Sequence, residues 1–256
     1  MKYPILLPNI FDHPFTYDSS LKLKIGDYVN VPFGKKTITG VVWDKFEKNT
    51  NKKFKVKIVK KKLNIEPLKI QTVDFLNWFS EYNLVPLGMA LKLHLLSGDA
   101  IEKQSNSEYQ KYQVEFNKEQ FILSDEQKKT FKELVKNDSS FRVHLLQGTT
   151  GSGKTIVYFQ AIEKIINQGQ QSLILLPEIG LTSEFEKKFK NFFGFEAAIW
   201  HSKITLKKKK IIWSGLASGE IKVIIGARSA LFLPFKKLGL IVVDEEHDQS
   251  FKQDEG

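Results

Sequence analysis

Residues 148–155 read Gly148-Thr149-Thr150-Gly151-Ser152-Gly153-Lys154-Thr155, and residues 240–247 read Leu240-Ile241-Val242-Val243-Asp244-Glu245-Glu246-His247. The first stretch is a glycine-rich loop that lets successive backbone N–H groups turn inward around phosphates, and the helix after it adds a positive N-terminal end. In that pattern Lys154 reaches the β- and γ-phosphates of a nucleotide and the Thr155 hydroxyl ligates Mg²⁺. The second stretch is an apolar strand that ends in acids, which sets Asp244 against the metal shell while Glu245 orients and deprotonates an attacking water. Acids often end strands in contact with solvent, so the second stretch takes its weight from the loop about 90 residues earlier.

Around these two stretches helical and strand patterns alternate. Strands are predicted over 141–146, 172–176, 197–200, 221–225 and 238–243, and helices over 154–167, 184–193 and 205–218. Ser183 and Glu186 stand in capping-box spacing at the start of the second helix, and Gly194 stops it. Short, continuously apolar strands alternating with helices predict an α/β lobe with a parallel sheet covered on both faces. Ligands collect at the carboxyl ends of such strands, where Pro177-Glu178-Ile179-Gly180, His201-Ser202 and Gly226-Ala227-Arg228-Ser229 stand. Arg228 reads either as a contact to a DNA phosphate or as one half of a surface ion pair. Ser124-Asp125-Glu126-Gln127 reads as a capping box opening a helix over 125–136, and equally as a glutamine placed to read an adenine edge.

The first 60 or so residues read as a small β-rich domain, with strand-like runs at 28–33, 37–43 and 54–59. In the third run Phe54, Val56 and Ile58 alternate with Lys53, Lys55 and Lys57, which predicts a buried row backed by a lysine row. That row is either a solvated sheet face or a phosphate-contacting one. Two helices follow: Phe75, Trp78, Phe79 and Tyr82 make an aromatic stripe expected in the core, and Pro86 sits ahead of Ala90, Leu91 and a packed His94. The polar stretch 98–120 reads as a linker, which divides the chain into 1–97, 98–120 and 121–256.

Composition supports a globular, nucleic-acid-facing chain. No apolar run approaches the length of a membrane-spanning helix, and Pro4, Pro8 and Asp12 interrupt the pattern a secretory signal needs. With no cysteine there is neither a disulfide nor a thiolate zinc site. The net charge of +10 favours a polyanionic partner, and it is concentrated: nine lysines against Glu47 lie between Lys45 and Lys62. The run 207–210 reads as a solvated helix face.

Taken together these residues resemble the PriA family, the primosomal replication-restart DNA helicases of bacteria. The likeness rests on Pro14-Phe15-Thr16-Tyr17, Gly26-Asp27 and Val31-Pro32-Phe33-Gly34, on 82–88, and on the loop ending in Lys154-Thr155. It continues through Leu176-Pro-Glu-Ile-Gly-Leu-Thr182, Ala227-Arg-Ser-Ala-Leu-Phe232 and Asp244-Glu-Glu-His-Asp248. The resemblance implies one RecA-like lobe of a superfamily 2 helicase behind a domain that binds the 3′ end of a nascent strand at a stalled fork. It carries Phe15, Thr16 and Gly34 to a pocket for the terminal nucleotide, with Lys57 nearby and Lys55 one strand period away. Phe251 falls in what resembles the loop coupling DNA contact to hydrolysis. Gln127 carries over to adenine, Gly148 through Thr155 to ATP and Mg²⁺, and Asp244 and Glu245 to metal and water.

The implied partners are forked DNA with a free 3′ end, other primosome proteins and single-strand-binding protein, in the cytoplasm. The family's winged helix, its second lobe with an arginine that completes the ATP site, and its zinc-binding cysteines have no counterpart in these residues. The chain is therefore expected to be the N-terminal part of an ATP-dependent 3′-to-5′ helicase, hydrolysing ATP poorly by itself. The alternative is a DNA-end-binding module with a hydrolysis-deficient nucleotide site.

Overall fold

The computed structural model describes residues 1–45, 56–96, 121–136, 141–149, 151–177 and 182–251. In chain order the first elements are β1 (Lys2–Leu6), β2 (Phe15–Asp18), β3 (Tyr28–Phe33), β4 (Lys36–Val42), β5 (Lys57–Ile58), β6 (Lys61–Lys62), α1 (Ile70–Asn83) and α2 (Leu87–His94). There follow α3 (Asp125–Leu134), α4 (Lys154–Asn167), β7 (Gln171–Leu175), α5 (Ser183–Phe193), β8 (Ala198–Trp200), α6 (Leu206–Ser218), β9 (Val223–Gly226) and β10 (Leu238–Val243). Two compact units result. One holds Met1–Asn106, Ile204–Ser218 and Leu231–Lys236, the other Ser107–Lys203, Gly219–Ala230 and Lys237–Gly256.

The second unit holds the expected parallel sheet, while α6, predicted as part of that lobe, clusters with the first unit. The strands of that sheet lie in the order β10-β7-β9-β8, and every pairing is parallel. β7 and β9 are buried along their whole length, which is why both read as continuous apolar runs. Phe159 and Ile162 of α4 and Phe189, Phe192 and Phe193 of α5 pack with Ile174, Val223 and Ile225 into one core. α5 is capped by the Thr182 hydroxyl, which accepts from the Phe185 N–H at 3.2 Å, and not by Ser183 as its spacing predicts. The helix starts one residue early because either hydroxyl could serve, and only the backbone at Thr182 is extended.

The strand predicted over 141–146 does not form. Residues 141–149 carry no strand assignment, and Phe141 and Val143 stand 92% and 83% exposed. Apolar alternation gives a segment the wish to be covered, but a strand in a parallel sheet exists only where a neighbour accepts its hydrogen bonds. β10 is the edge strand, and among the described residues nothing pairs with its outer side.

The first unit is a sheet in the order β5-β2-β1-β4-β3-β6. β1 and β2 lie outside the strand-like runs of the sequence, since Pro4 and the brevity of β2 hide their period. Phe33 opposes Lys36 across a two-residue turn whose first residue, Gly34, has φ +58°, a conformation a hairpin of this length requires. Ile5, Leu7, Val29, Val31 and Val42 form the interior. The third predicted run departs from its expected phase. Ile58 is 66% exposed and Val59 is buried, because the strand pairs for only two residues before the Val59 N–H bonds to Asp18 and the Lys60 N–H to Asn30. Only Val59 and Lys60 separate β5 from β6, which sit at opposite ends of the strand order, so the sheet curls upon itself. Lys53, Phe54, Lys55 and the linker residues 98–120 lie outside the described residues.

On α1 the aromatic stripe divides: Phe75 and Phe79 are half-buried against Phe232, with centroids 5.4 and 4.9 Å away, and the other two rings are not core. Trp78 and Tyr82 stand 53% and 73% exposed, stacked with ring centroids 5.1 Å apart, while Val73, Leu76 and Ser80 take the buried face. Helical spacing puts the four rings on one side without saying that this side meets the sheet.

His94, as expected, is packed and buried, and it anchors chain from far downstream. Its Nδ1–H donates to the Phe232 carbonyl at 2.7 Å, so Nε2 accepts from the Tyr28 hydroxyl, also at 2.7 Å. The Trp213 indole of α6 donates to the His94 carbonyl at 2.9 Å. Burial holds the imidazole pKa down, to about 4, so only the neutral ring fits. A folded value below the unfolded one means that stability is full above pH 6.5 and is lost as pH falls through 4. We expect His94 to remove roughly 3 kcal/mol of stability over that window. Urea unfolding of the parent and of His94→Gln from pH 7.5 to 4 measures this; a parent-minus-variant difference that does not move with pH refutes it.

Candidate functional site

The parallel sheet delivers four strand ends to one edge. Val243, Leu175, Gly226 and Trp200 lie in a single row of the ladder, so Asp244, Leu176, Ala227 and His201 emerge side by side. The Asp244 N–H extends the pairing by one more bond, to the Leu175 carbonyl at 3.0 Å. The pairing of β10 thus extends to Asp244, the first acid of the stretch.

The phosphate loop reaches the same place through α4. Gly151 and Gly153 both have φ +82°, a region that residues with a Cβ enter only with strain, and Gly153 serves as the helix N-cap without a side chain. The first N–H groups of α4 are therefore left to face the loop. The Ser152 N–H closes a turn onto the Thr149 carbonyl at 3.1 Å. The Lys154 ammonium lies back on its own loop, donating to the carbonyls of Gly148 and Thr149. Thr150 lies outside the described residues.

One contact joins the two stretches. The Tyr158 hydroxyl, one helical turn beyond Thr155, donates to Asp244 Oδ2 at 2.7 Å. Asp244 Oδ1 accepts from the Glu245 N–H at 3.0 Å, so both carboxylate oxygens are held. Glu245 turns there with φ +53°, uncommon for a residue with a side chain, and its carboxylate sits 3.5 Å from His247 Nε2. Burial first, and the Asp244 charge second, raise the Tyr158 pKa and keep the phenol protonated as a donor. Sequence reading passed over Tyr158. Its signal was the spacing of three from Thr155 on a helix whose other aromatic residue, Phe159, has no hydroxyl.

Gln127 performs the capping role and a second one besides. Its Oε1 accepts from the Ser124 N–H at 2.9 Å while the Ser124 hydroxyl accepts from the Gln127 N–H, and its Nε2 donates to the Ser152 carbonyl at 2.9 Å. One amide hydrogen and one carbonyl lone pair are left, which is the donor–acceptor pair an adenine edge would engage. Arg228 and Phe251 meet each other: the guanidinium Nη1 donates to the Phe251 carbonyl at 3.3 Å.

The remaining predicted residues lie in the first unit. Phe15 and Thr16 occupy β2, and Lys57 is exposed on β5, whose register places it beside Tyr17. Phe15 contacts Phe33, the neighbour of Gly34, with centroids 5.5 Å apart. His13 and Phe11 also close on Phe15, at 5.1 and 5.3 Å, and Phe11 lies 6.5 Å from Phe33, so the half-buried Phe15 sits in an aromatic box. The alternation Phe11, His13, Phe15 carried that signal unread. Burial raises the Tyr17 phenol to about 12, and its hydroxyl donates to the Pro32 carbonyl.

Two known families match successive parts of the chain. Residues 124–255 match the DEAD/DEAH box helicase family, and residues 4–95 match the 3′DNA-binding domain (3′BD) of PriA. The replication restart protein PriA of Rickettsia conorii is 43% identical over 254 residues, 98% of this chain and 38% of that protein. Its namesake from Helicobacter pylori is 36% identical over 246 residues, 93% of this chain and 36% of its own length. That of Bacillus subtilis is 42% identical over 135 residues, 52% of this chain and 17% of its own. The chain thus spans well under half the length of these relatives.

Gln127→Ala should lower thermal stability by roughly 1 kcal/mol, the usual cost of a lost N-terminal cap, and release the Ser152 carbonyl. Calorimetry checks it; an unchanged midpoint would show that neither bond contributes.

Proposed function

On the premise that the chain belongs to the DEAD/DEAH box helicase family and carries a PriA-type 3′DNA-binding domain ahead of it, we propose that it is the front part of an ATP-dependent 3′-to-5′ DNA helicase of replication restart. The observation that supports this most is the Tyr158–Asp244 bond, which sets the acids within one helical turn of the phosphate loop.

The residues fit a magnesium-bound triphosphate. Left-handed glycines open the loop, and an uncapped helix start and a lysine ammonium, now resting on carbonyls, can turn to phosphate. Lys154 and the backbone amides of Gly148 through Thr155 would hold the β- and γ-phosphates, Gln127 the adenine, and Thr155 and Asp244 the Mg²⁺. The ion, when bound, neutralises charge on the phosphate oxygens. Glu245 accepts the proton of the attacking water at its carboxylate. Arginine contributes several orders of magnitude to such hydrolysis, and of the chain's two, Arg142 and Arg228, the latter is engaged with Phe251. Residues 1–256 alone therefore bind nucleotide and turn it over slowly, and stepping needs a second lobe.

The DNA end belongs to the aromatic box. Phe15 offers a ring face to the terminal base, Thr16 and the Gly34 turn offer polar and backbone groups to its sugar, and Lys57 offers charge to phosphate. Arg228 and Phe251 are proposed as DNA contacts of the helicase lobe. Primosome proteins and single-strand-binding protein are the proposed partners, in the cytoplasm; no helix among the described residues is long and apolar enough to cross a membrane.

Two titrations test the reading. A fluorescent ATP analogue should bind the chain with Mg²⁺ and lose about tenfold or more in affinity in Lys154→Ala, since one charge-assisted contact to phosphate is removed. Forked DNA with a free 3′ end should bind more tightly than the same fork with that end blocked, and Phe15→Ala should erase the preference. Equal affinity for both forks would overturn the DNA-end assignment.

A further inference from the structure

A hydroxyl that ligates a cation must turn its hydrogen elsewhere, and the structure shows where Thr155 can send it. Thr155 stands one turn back on α4, where its hydroxyl acts on the Tyr158 phenol in the sense that lowers the phenol pKa, as a donor to it would. Tyr158 has one hydrogen, and an ionised carboxylate only accepts, so that hydrogen is committed to Asp244 Oδ2 at 2.7 Å. The phenol can then take part with Thr155 only as acceptor, which makes Thr155 the donor. A one-way chain runs from Thr155 through Tyr158 to Asp244. The ring is not free to swing away, since it is buried and packs edge-on against Phe159 at 5.2 Å within the lobe's core.

Resting on the nucleotide-site reading above, we propose that Tyr158 is a positioning residue for the metal: it turns the Thr155 hydrogen away from the cation and fixes the Asp244 carboxylate through its Oδ2 oxygen. The Glu245 N–H on Oδ1 secures the other carboxylate oxygen, so the acid cannot rotate to compensate for a lost phenol. Neither Thr155 nor Asp244 is then left to find its direction when the ion arrives.

Tyr158→Phe removes the hydroxyl and keeps the ring, so the core stays filled. In a titration of the 256-residue chain with a fluorescent ATP analogue, the Mg²⁺ concentration for half-maximal binding should rise about tenfold, the cost of losing an outer-shell partner. Binding in EDTA, which uses the loop and Lys154 alone, should not change. Asp244→Asn should abolish the Mg²⁺ response, and Tyr158→Phe added to it should do nothing more. A parent-like Mg²⁺ response in Tyr158→Phe, or an equal loss in EDTA, overturns the proposal alone. Absence of nucleotide binding by the parent chain overturns the nucleotide site and this role together.

Discussion

Parallel pairing of β10 with β7 is the constraint on which the proposed nucleotide site depends. It places Val243 level with Leu175, and so carries Asp244 to the edge where Leu176 and Ala227 also emerge. Helix α4 packs its apolar side into the same core through Phe159 and Ile162, and this leaves Lys154 and Thr155 at the end where the acids arrive. The Tyr158–Asp244 bond is the closing contact of that arrangement. A charged carboxylate beside a buried phenol is tolerable because each satisfies the other, whereas either alone would carry a desolvation cost.

The first unit is governed by a different economy. Its sheet is short and curled, and beside its apolar core it holds a buried polar network of His94, Tyr28, the Phe232 carbonyl and Trp213. Two members of that network, Trp213 and Phe232, belong to segments that flank Gly219–Ala230 in sequence, a stretch of the second unit. Neutral imidazole is the only form that can donate at Nδ1 and accept at Nε2 together. The same histidine on a solvated face would have tolerated either charge state.

Legibility followed distance along the chain. The phosphate loop, the bounds of α4, the Ser124–Gln127 capping box and the strand at 238–243 were all readable, because each depends on neighbours within a few residues. Trp78 and Tyr82 misled, since an amphipathic period names a stripe but not the surface that covers it. Ile58 misled because a two-residue strand leaves no room for alternation to persist. The segment 141–146 misled for the converse reason: its alternation is real, but a strand needs a partner that no local pattern supplies.

Residue order alone therefore determined the chemistry on offer: a glycine loop with lysine and threonine, acids closing an apolar strand, lysines and aromatic rings at the front. Such signals are local, set by backbone freedom and by side-chain type. Tertiary structure decided which of these groups meet. It brought Tyr158 to Asp244, gathered Phe11, His13 and Phe33 about Phe15, and set Arg228 on the Phe251 carbonyl. Those contacts join residues whose separation is settled by sheet register and core packing, and neither quantity is written in any short stretch of chain.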